Sequence, residues 1–451
     1  MKAFNRLSAG LCLSVFLFCP VHGVWGQGAG ESSWQLKGLV DTYHAFRSEK
    51  PNDWMSSRTR LRGEVGKNFA GSSLFVSFNA TYNALLKERT GFELREAYLD
   101  HRQEHWGFRL GRQLVIWGAA DGVRITDLVS PMDMTEFLAQ DYDDIRMPVN
   151  ALRFFVFNDK IKLELLAVPT FEGYKLPTDA ANPWSVLPKE TPRSLVWDAE
   201  GSRPELRLSN VEYGGRLSFA LPGVDFSLAA LHTWNKMPVI EYKPSGSQLT
   251  VSPRYYRMGF VGGDVSKPLG QFVLRGEAAF NLGKHFSYIQ QAASTPQKGF
   301  NTINWLVGAD WYAPHEWTVM AQFSSESIFK YESYVAQPRH NSLLTLCVSK
   351  KLLDSNLQLS DFTYFDLNHK GWFSRFTADY ALNDHIHLLA GYDWFGGSDA
   401  RNGDEPVSWR RCVARLLRRN ADEDRPARRG ACEKAAREGC EHPHREPREA
   451  R

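Results

Sequence analysis

Two groups of charged residues have the types and spacing to do electrostatic work. Arg58, Arg60 and Arg62 recur at every second position. In an extended strand they therefore share one face, opposite Leu61 and Val65. Farther along, the stretch Asp121–Arg146 carries Asp121, Asp127, Asp133, Glu136, Asp141, Asp143 and Asp144, with only Arg124 and Arg146 to balance the charge. Arg95 and Arg109 are candidates to extend the arginine row. Such a row facing an acidic segment can set up a transverse field that selects solutes. It can equally anchor the segment through charge-assisted hydrogen bonds, and the sequence leaves both open.

The acidic residues belong to an unusual insertion. A strand-like run ends at Gly111-Arg112-Gln113, and another begins at Ala151-Leu152-Arg153-Phe154-Phe155-Val156-Phe157. About thirty residues lie between them, too many for a hairpin and without helical period. Gly118 and Gly122 permit a sharp turn into the segment, while Pro131 and Pro148 stiffen its path. The expectation is a loop, residues 116–148, folded into a barrel and narrowing its bore.

The elements that must position these groups repeat one unit from Ser33 to Phe395: roughly ten residues of alternating polarity, then a turn. Trp34, Leu36 and Val40 oppose Gln35, Lys37 and Asp41. Leu74, Val76, Phe78, Ala80 and Tyr82 oppose Ser77, Asn79, Thr81 and Asn83. Ile161, Leu163 and Leu165 oppose Lys162 and Glu164, and Trp317, Val319, Ala321 and Phe323 oppose Thr318, Gln322 and Glu326. Tight turns near 158–160, 222–223, 268–270, 313–314, 353–356 and 382–384 alternate with long polar connections at 170–204, 237–251, 283–298 and 328–340. Outer-membrane barrels show this asymmetry of short and long loops. The fold class expected is all-β: a transmembrane antiparallel barrel of about 16–18 strands, with the inward-folded loop after the fifth. About seventeen strands can be counted, and the one that would make the number even is missing.

Composition agrees. The chain has 14 Trp, 16 Tyr and 28 Phe spread over nearly every segment, as the aromatic girdles of such barrels require. Outside the N-terminus no window approaches the roughly 18 apolar residues of a membrane helix. Residues 1–26 read as a secretory leader: Lys2 and Arg6, an apolar core from Leu11 to Phe18, then Val24-x-Gly26 before Gln27. Once Cys12 and Cys19 are set aside with the leader, only Cys347 lies in the barrel region 27–405, so no disulfide framework is expected there. From 406 to 451 the composition changes to twelve Arg and one Lys against eight acids. That tail cannot bury apolar area and is expected to be disordered. It reads either as a basic arm or, by preference, as out-of-frame translation replacing the closing strand.

The run Gly111-Arg112-Gln113-x-x-x-Trp117-Gly118, with Asp121-Gly122 and Pro131-x-Asp133, resembles the signature of an uncharacterised porin-like family of Gram-negative outer-membrane proteins, a domain of unknown function. It is more distantly similar to alginate-export-type porins of about eighteen strands. Ser130 stands where that pattern usually has Asn. The resemblance implies an outer-membrane barrel and no particular substrate.

Other chemistry has less support. His385 and His387 share a strand face without a second metal-ligating cluster, and Asp141-Tyr142-Asp143-Asp144 lacks the Gly and closing Glu of a calcium loop. Gly259-x-x-Gly262-Gly263 sits in an alternating strand and reads as room for close packing. No nucleophile elbow occurs. The function expected is a channel for passive passage or export of small polar or amphipathic solutes, not an enzyme, without cofactor or metal. Its partners would be outer-membrane lipid, lipopolysaccharide and the barrel-assembly machinery, with no nucleic acid. The alternatives are a non-conducting barrel that binds a partner or polysaccharide through its loops, and an outer-membrane acyl hydrolase.

Overall fold

The computed structural model describes residues 8–17, 34–48, 53–136, 142–179, 181–185, 194–198, 203–245, 248–288 and 297–397. The alternating segments form the strands β1 (Ser8–Leu17), β2 (Trp34–Arg47), β3 (Trp54–Phe69), β4 (Ser72–Asn83), β5 (Gly91–Arg102), β6 (Trp106–Gln113), β7 (Val149–Phe157) and β8 (Ile161–Val168). After β9 (Ser194–Trp197) come β10 (Glu212–Leu221), β11 (Val224–Trp234), β12 (Val239–Ser245), β13 (Gln248–Arg254), β14 (Arg257–Leu269), β15 (Phe272–His285) and β16 (Gly299–Ala313). The last are β17 (Trp317–Ile328), β18 (His340–Leu352), β19 (Leu357–Asp366), β20 (Gly371–Asn383) and β21 (Ile386–Gly397).

Eighteen of these form one antiparallel sheet in which each strand pairs with the next, β8 passing directly to β10 and β11 to β14. The ring closes because β1 pairs with both β21 and β2. The seventeen strands of this sheet that lie between Trp34 and Gly397 match the expected number. The remaining place is taken by Ser8–Leu17, within the segment that reads as a leader. A chain cleaved after Gly26 would instead leave the facing edges of β2 and β21 unpaired. The basic tail lies outside the described residues.

Burial is inverted relative to a water-soluble sandwich. Along β2 Trp34 is 53% exposed while Asp41 is fully buried; along β4 Tyr82 is 64% exposed while Ser77 and Asn83 are buried. The apolar face of each strand points outward and the polar face inward, as lipid on one side and a lumen on the other demand. Exposed aromatics gather in two belts: Trp34, Trp106, Phe272, Trp311 and Trp317 near the short turns, and Trp54, Tyr82, Phe92 and Tyr213 near the long loops. The long-loop end carries structure of its own. There β12, β13 and β9 form a separate three-stranded sheet, with β13 parallel to β9. Local alternation did not reveal this sheet, because its strands are short and β9 lies inside the connection 170–204.

The main apolar core lies inside the ring. Val115, Trp117, Ile125, Met132, Met134 and Ile145 of the segment between β6 and β7 pack with Leu306, Met320, Leu343 and Phe362 from the wall. The expected inward-folded loop is therefore present. It follows the fifth of the strands that begin at Trp34.

Candidate functional site

The insertion leaves the wall after Gln113; two residues earlier, within β6, Gly111 has φ +133° and its missing Cβ would meet the carbonyl of Ala97 at 2.3 Å. Only glycine fits there. The Gln113 amide donates to the Ala151 carbonyl at 2.9 Å and ties the mouth of the β6–β7 pair. Arg112 stays on the wall, donating to the Leu94 carbonyl. Trp117 then carries the chain inward; it is 1% exposed, and its indole N–H donates to Glu164 of β8 at 3.1 Å. Gly118 packs against the Asp127 side chain.

Next the segment meets the far wall. Glu277 of β15 accepts the backbone N–H groups of Ala119 and Ala120 at 2.6 and 2.5 Å. Its other oxygen accepts the N–H and hydroxyl of Thr126. Arg275 donates to the Ala119 carbonyl at 2.9 Å, Gln322 of β17 to that of Asp121, and the Tyr364 hydroxyl of β19 to that of Gly122 at 3.2 Å. Gly122, at φ +86°, leaves no room for a side chain beneath the Phe362 ring. Gly122 thus makes the reversal that the sequence suggests.

On the return, Arg124 is buried and donates to the carbonyls of Asp127 and Ser130 and to the Tyr174 hydroxyl. Asp127 is fully buried beside Arg146, 2.6 Å away. The Pro131 carbonyl accepts from Met147, so Pro131 lies beside the exit from the insertion. Asp133 pairs with Arg89 at 2.7 Å and with Lys175 at 3.7 Å. Glu136 accepts from Ser56 and Asn83. The one-turn helix α1 (Tyr142–Ile145) brings Asp144 to the arginine row. Its carboxylate lies 2.8 Å from Arg60, 2.6 Å from Arg62 and 3.8 Å from Arg95. Arg60 also meets Asp41 of β2 at 2.6 Å.

Burial by itself would raise the Asp144 carboxyl, but Arg60, Arg62 and Arg95 outweigh it and hold the group well below the usual carboxylate range. Asp133 is likewise lowered against its burial, by Arg89, Lys175 and the Thr135 hydrogen bonds. Both acids are therefore ionised at neutral pH.

The arginine row therefore anchors the acidic segment directly: Asp144 is held by Arg60 and Arg62, while Asp127 and Asp133 pair with Arg146 and Arg89. Anchoring of this kind is compatible with a transverse field. The pattern continues around the wall in Arg153–Glu164, Arg216–Asp264, Arg275–Asp310, Lys284–Glu326 and Arg375–Asp393. Arg109 meets no acid of the insertion: it pairs with Asp100 at 2.6 Å, and its guanidinium lies 4.3 Å from the centre of the Tyr98 ring. Asp141 and the Asp143 side chain lie outside the described residues, and His387 pairs with Asp379. The wall partners Glu277 and Arg275 went unnoticed in the sequence, and Glu164 and Gln322 figured there only as polar-face residues of alternating strands, not as partners of the insertion.

Between the insertion and β3, β4 and β5, near the long loops, a cavity of about 290 Å³ remains. Arg58, Arg89, Arg95, Arg146 and Lys175 are among its lining residues.

Among curated proteins no sequence matches. Several solved structures resemble the chain in outline. One is the outer membrane channel DcaP of Acinetobacter baumannii, 9% identical, covering 87% of this chain and 100% of that one with a TM-score of 0.42. Another is OmpT, an outer membrane protein of Vibrio cholerae, 10% identical, covering 83% and 99% with a TM-score of 0.43. A porin is 10% identical, covering 87% and 100% with a TM-score of 0.38. The barrel itself is established by the strand pairing. Residues 33–382 match the family described as "Protein of unknown function (DUF1302)", and the chain belongs to that family.

Proposed function

We propose that the protein is a channel of the bacterial outer membrane, passing small polar or amphipathic solutes without an energy source of its own. It performs no chemistry on them. The observation that carries this reading is the inversion of burial: an apolar exterior around a lumen lined by ionic and hydrogen-bonding side chains, with room left beside the insertion. In this reading lipid and lipopolysaccharide surround the outer belts, and the chain reaches the membrane through a leader and the barrel-assembly machinery. The insertion sets the bore. Planar-bilayer recording tests this: stepwise conductance is expected from the folded protein, and its absence at all voltages overturns the channel.

A second reading has one specific observation in its favour. The insertion reaches the far wall, and Val115, Met132 and Ile145 in its apolar core are fully buried. A barrel closed in this way would act through its structured long loops by binding a partner or surface polysaccharide. Silence in the bilayer together with saturable binding of a polysaccharide would select it.

A further inference from the structure

The cavity beside the insertion contains one cation that the anchoring does not use. Arg58 is 5% exposed and lines the cavity, yet its Nε has no hydrogen-bond partner. The nearest carboxylate, Asp41, is 3.8 Å from its Nη2, beyond hydrogen-bond reach. Asp41 has its other oxygen engaged by Arg60 at 2.6 Å. The Arg58 guanidinium lies 5.7 Å from the centre of the Tyr43 ring. A buried guanidinium without hydrogen bonds is costly unless something supplies them.

We propose that this cavity is a binding subsite for a small organic monocarboxylate, with Arg58 as the direct ligand of its carboxylate. The proposal rests on the channel reading only in taking the bound molecule to be a transported solute. Three features set the ligand class. The guanidinium fork matches a carboxylate with two parallel hydrogen bonds. Arg60 and Arg146 in the lining are already paired with Asp41 and Asp127 behind it, which leaves Arg58 as the cation open to a ligand. A monoanion meets less repulsion there than a dianion such as phosphate, which would face Asp133, Glu136 and Asp144 at close range. Met147 and Pro148 contribute apolar surface, and 290 Å³ is near the lower end of ligand pockets, which run from about 300 to 1,000 Å³. The body of the ligand is therefore short and apolar.

The test is calorimetric titration of the folded protein in detergent with hexanoate, hexylammonium, hexan-1-ol and inorganic phosphate. Hexanoate is expected to bind saturably and at least about tenfold more tightly than the other three. Arg58→Met should reduce hexanoate to the level of hexan-1-ol, and Arg58→Lys, which keeps the charge but loses the fork, should fall between. Equal affinities for hexanoate and hexan-1-ol overturn the proposal, as does hexanoate binding unchanged in Arg58→Met. Should Arg58→Met fail to fold, the wild-type ligand series and Arg58→Lys still decide. No membrane is needed. Hexanoate binding without conductance overturns the channel alone, and conductance without hexanoate binding overturns this subsite alone.

Discussion

Replacing Asp144 by Asn removes the charge that holds the insertion to the β3–β5 wall. The carboxylate takes direct hydrogen bonds from Arg60 and Arg62 and lies within ion-pair distance of Arg95. A hydrogen bond to a charged group contributes about 1.5–3 kcal/mol, and breaking a buried pair by removing one partner costs about 3–5 kcal/mol. Asp41 still neutralises Arg60, so the lower part of that interval, about 3 kcal/mol, is expected. That is roughly a hundredfold in the equilibrium between docked and undocked insertion. The loss falls on the insertion and spares the ring, whose backbone pairing is untouched. Single-channel recording should show larger or noisier openings with a shift toward anion selectivity, because three arginines then face the lumen. Limited proteolysis should cut the insertion while the barrel keeps its heat-modifiable gel mobility. Unchanged conductance and protease resistance would refute the anchoring argument. The pH dependence has a definite sign. A carboxyl lowered in the folded state stabilises above its unfolded value, about 3.9, and that contribution is lost as pH falls through the folded value. Acidification from pH 7 to 5 should therefore leave the insertion docked.

Glu277→Gln leaves one acceptor oxygen for four donors from the insertion, so a loss of about 2–3 kcal/mol and raised conductance noise are expected in the same recording. Gly111→Ala sets a Cβ against the Ala97 carbonyl and should prevent assembly, seen as loss of the heat-modifiable band; a normally folded variant would contradict the geometry. Arg109→Gln, at a residue that meets no acid of the insertion, should leave ion selectivity within error of wild type, and a shift comparable to that of Asp144→Asn would return Arg109 to the constriction. N-terminal sequencing of protein recovered from membranes separates the two roles of the first residues: Gln27 at the terminus means cleavage, Met1 means that Ser8–Leu17 can remain in the ring.

The barrel was legible because its signal is local. Period-two polarity and the alternation of short turns with long loops both survive in single segments such as Leu74–Asn83. The insertion was legible for a different reason: it breaks the alternation and concentrates acids. Which acid meets which base was not legible. Asp144 reaches Arg60 and Arg62 only because a one-turn helix lifts it to the wall, and Glu277 meets Ala119 through a distance in sequence that no periodicity encodes. Arg109 misled because periodicity gives the face of a strand residue and not the partner it meets there, which is Asp100. The shared partner of β2 and β21 was beyond reach too, since an apolar stretch at the start of a chain has the same composition in a leader and in a strand.

The parallel pairing of β13 with β9 joins the connection after β8 to the connection after β11, and the β12–β13 hairpin completes the patch. Two loops that leave the rim at different points are thereby stapled into one plate. The Tyr174 N–H donates to the Lys236 carbonyl, and Lys175 exchanges backbone hydrogen bonds with Met132 and Met134, so the plate is hinged to the insertion as well. Anything that grips this outer surface, an antibody or a phage fibre, would pull on the insertion through those strands, and a mechanical load at the rim would be felt in the bore.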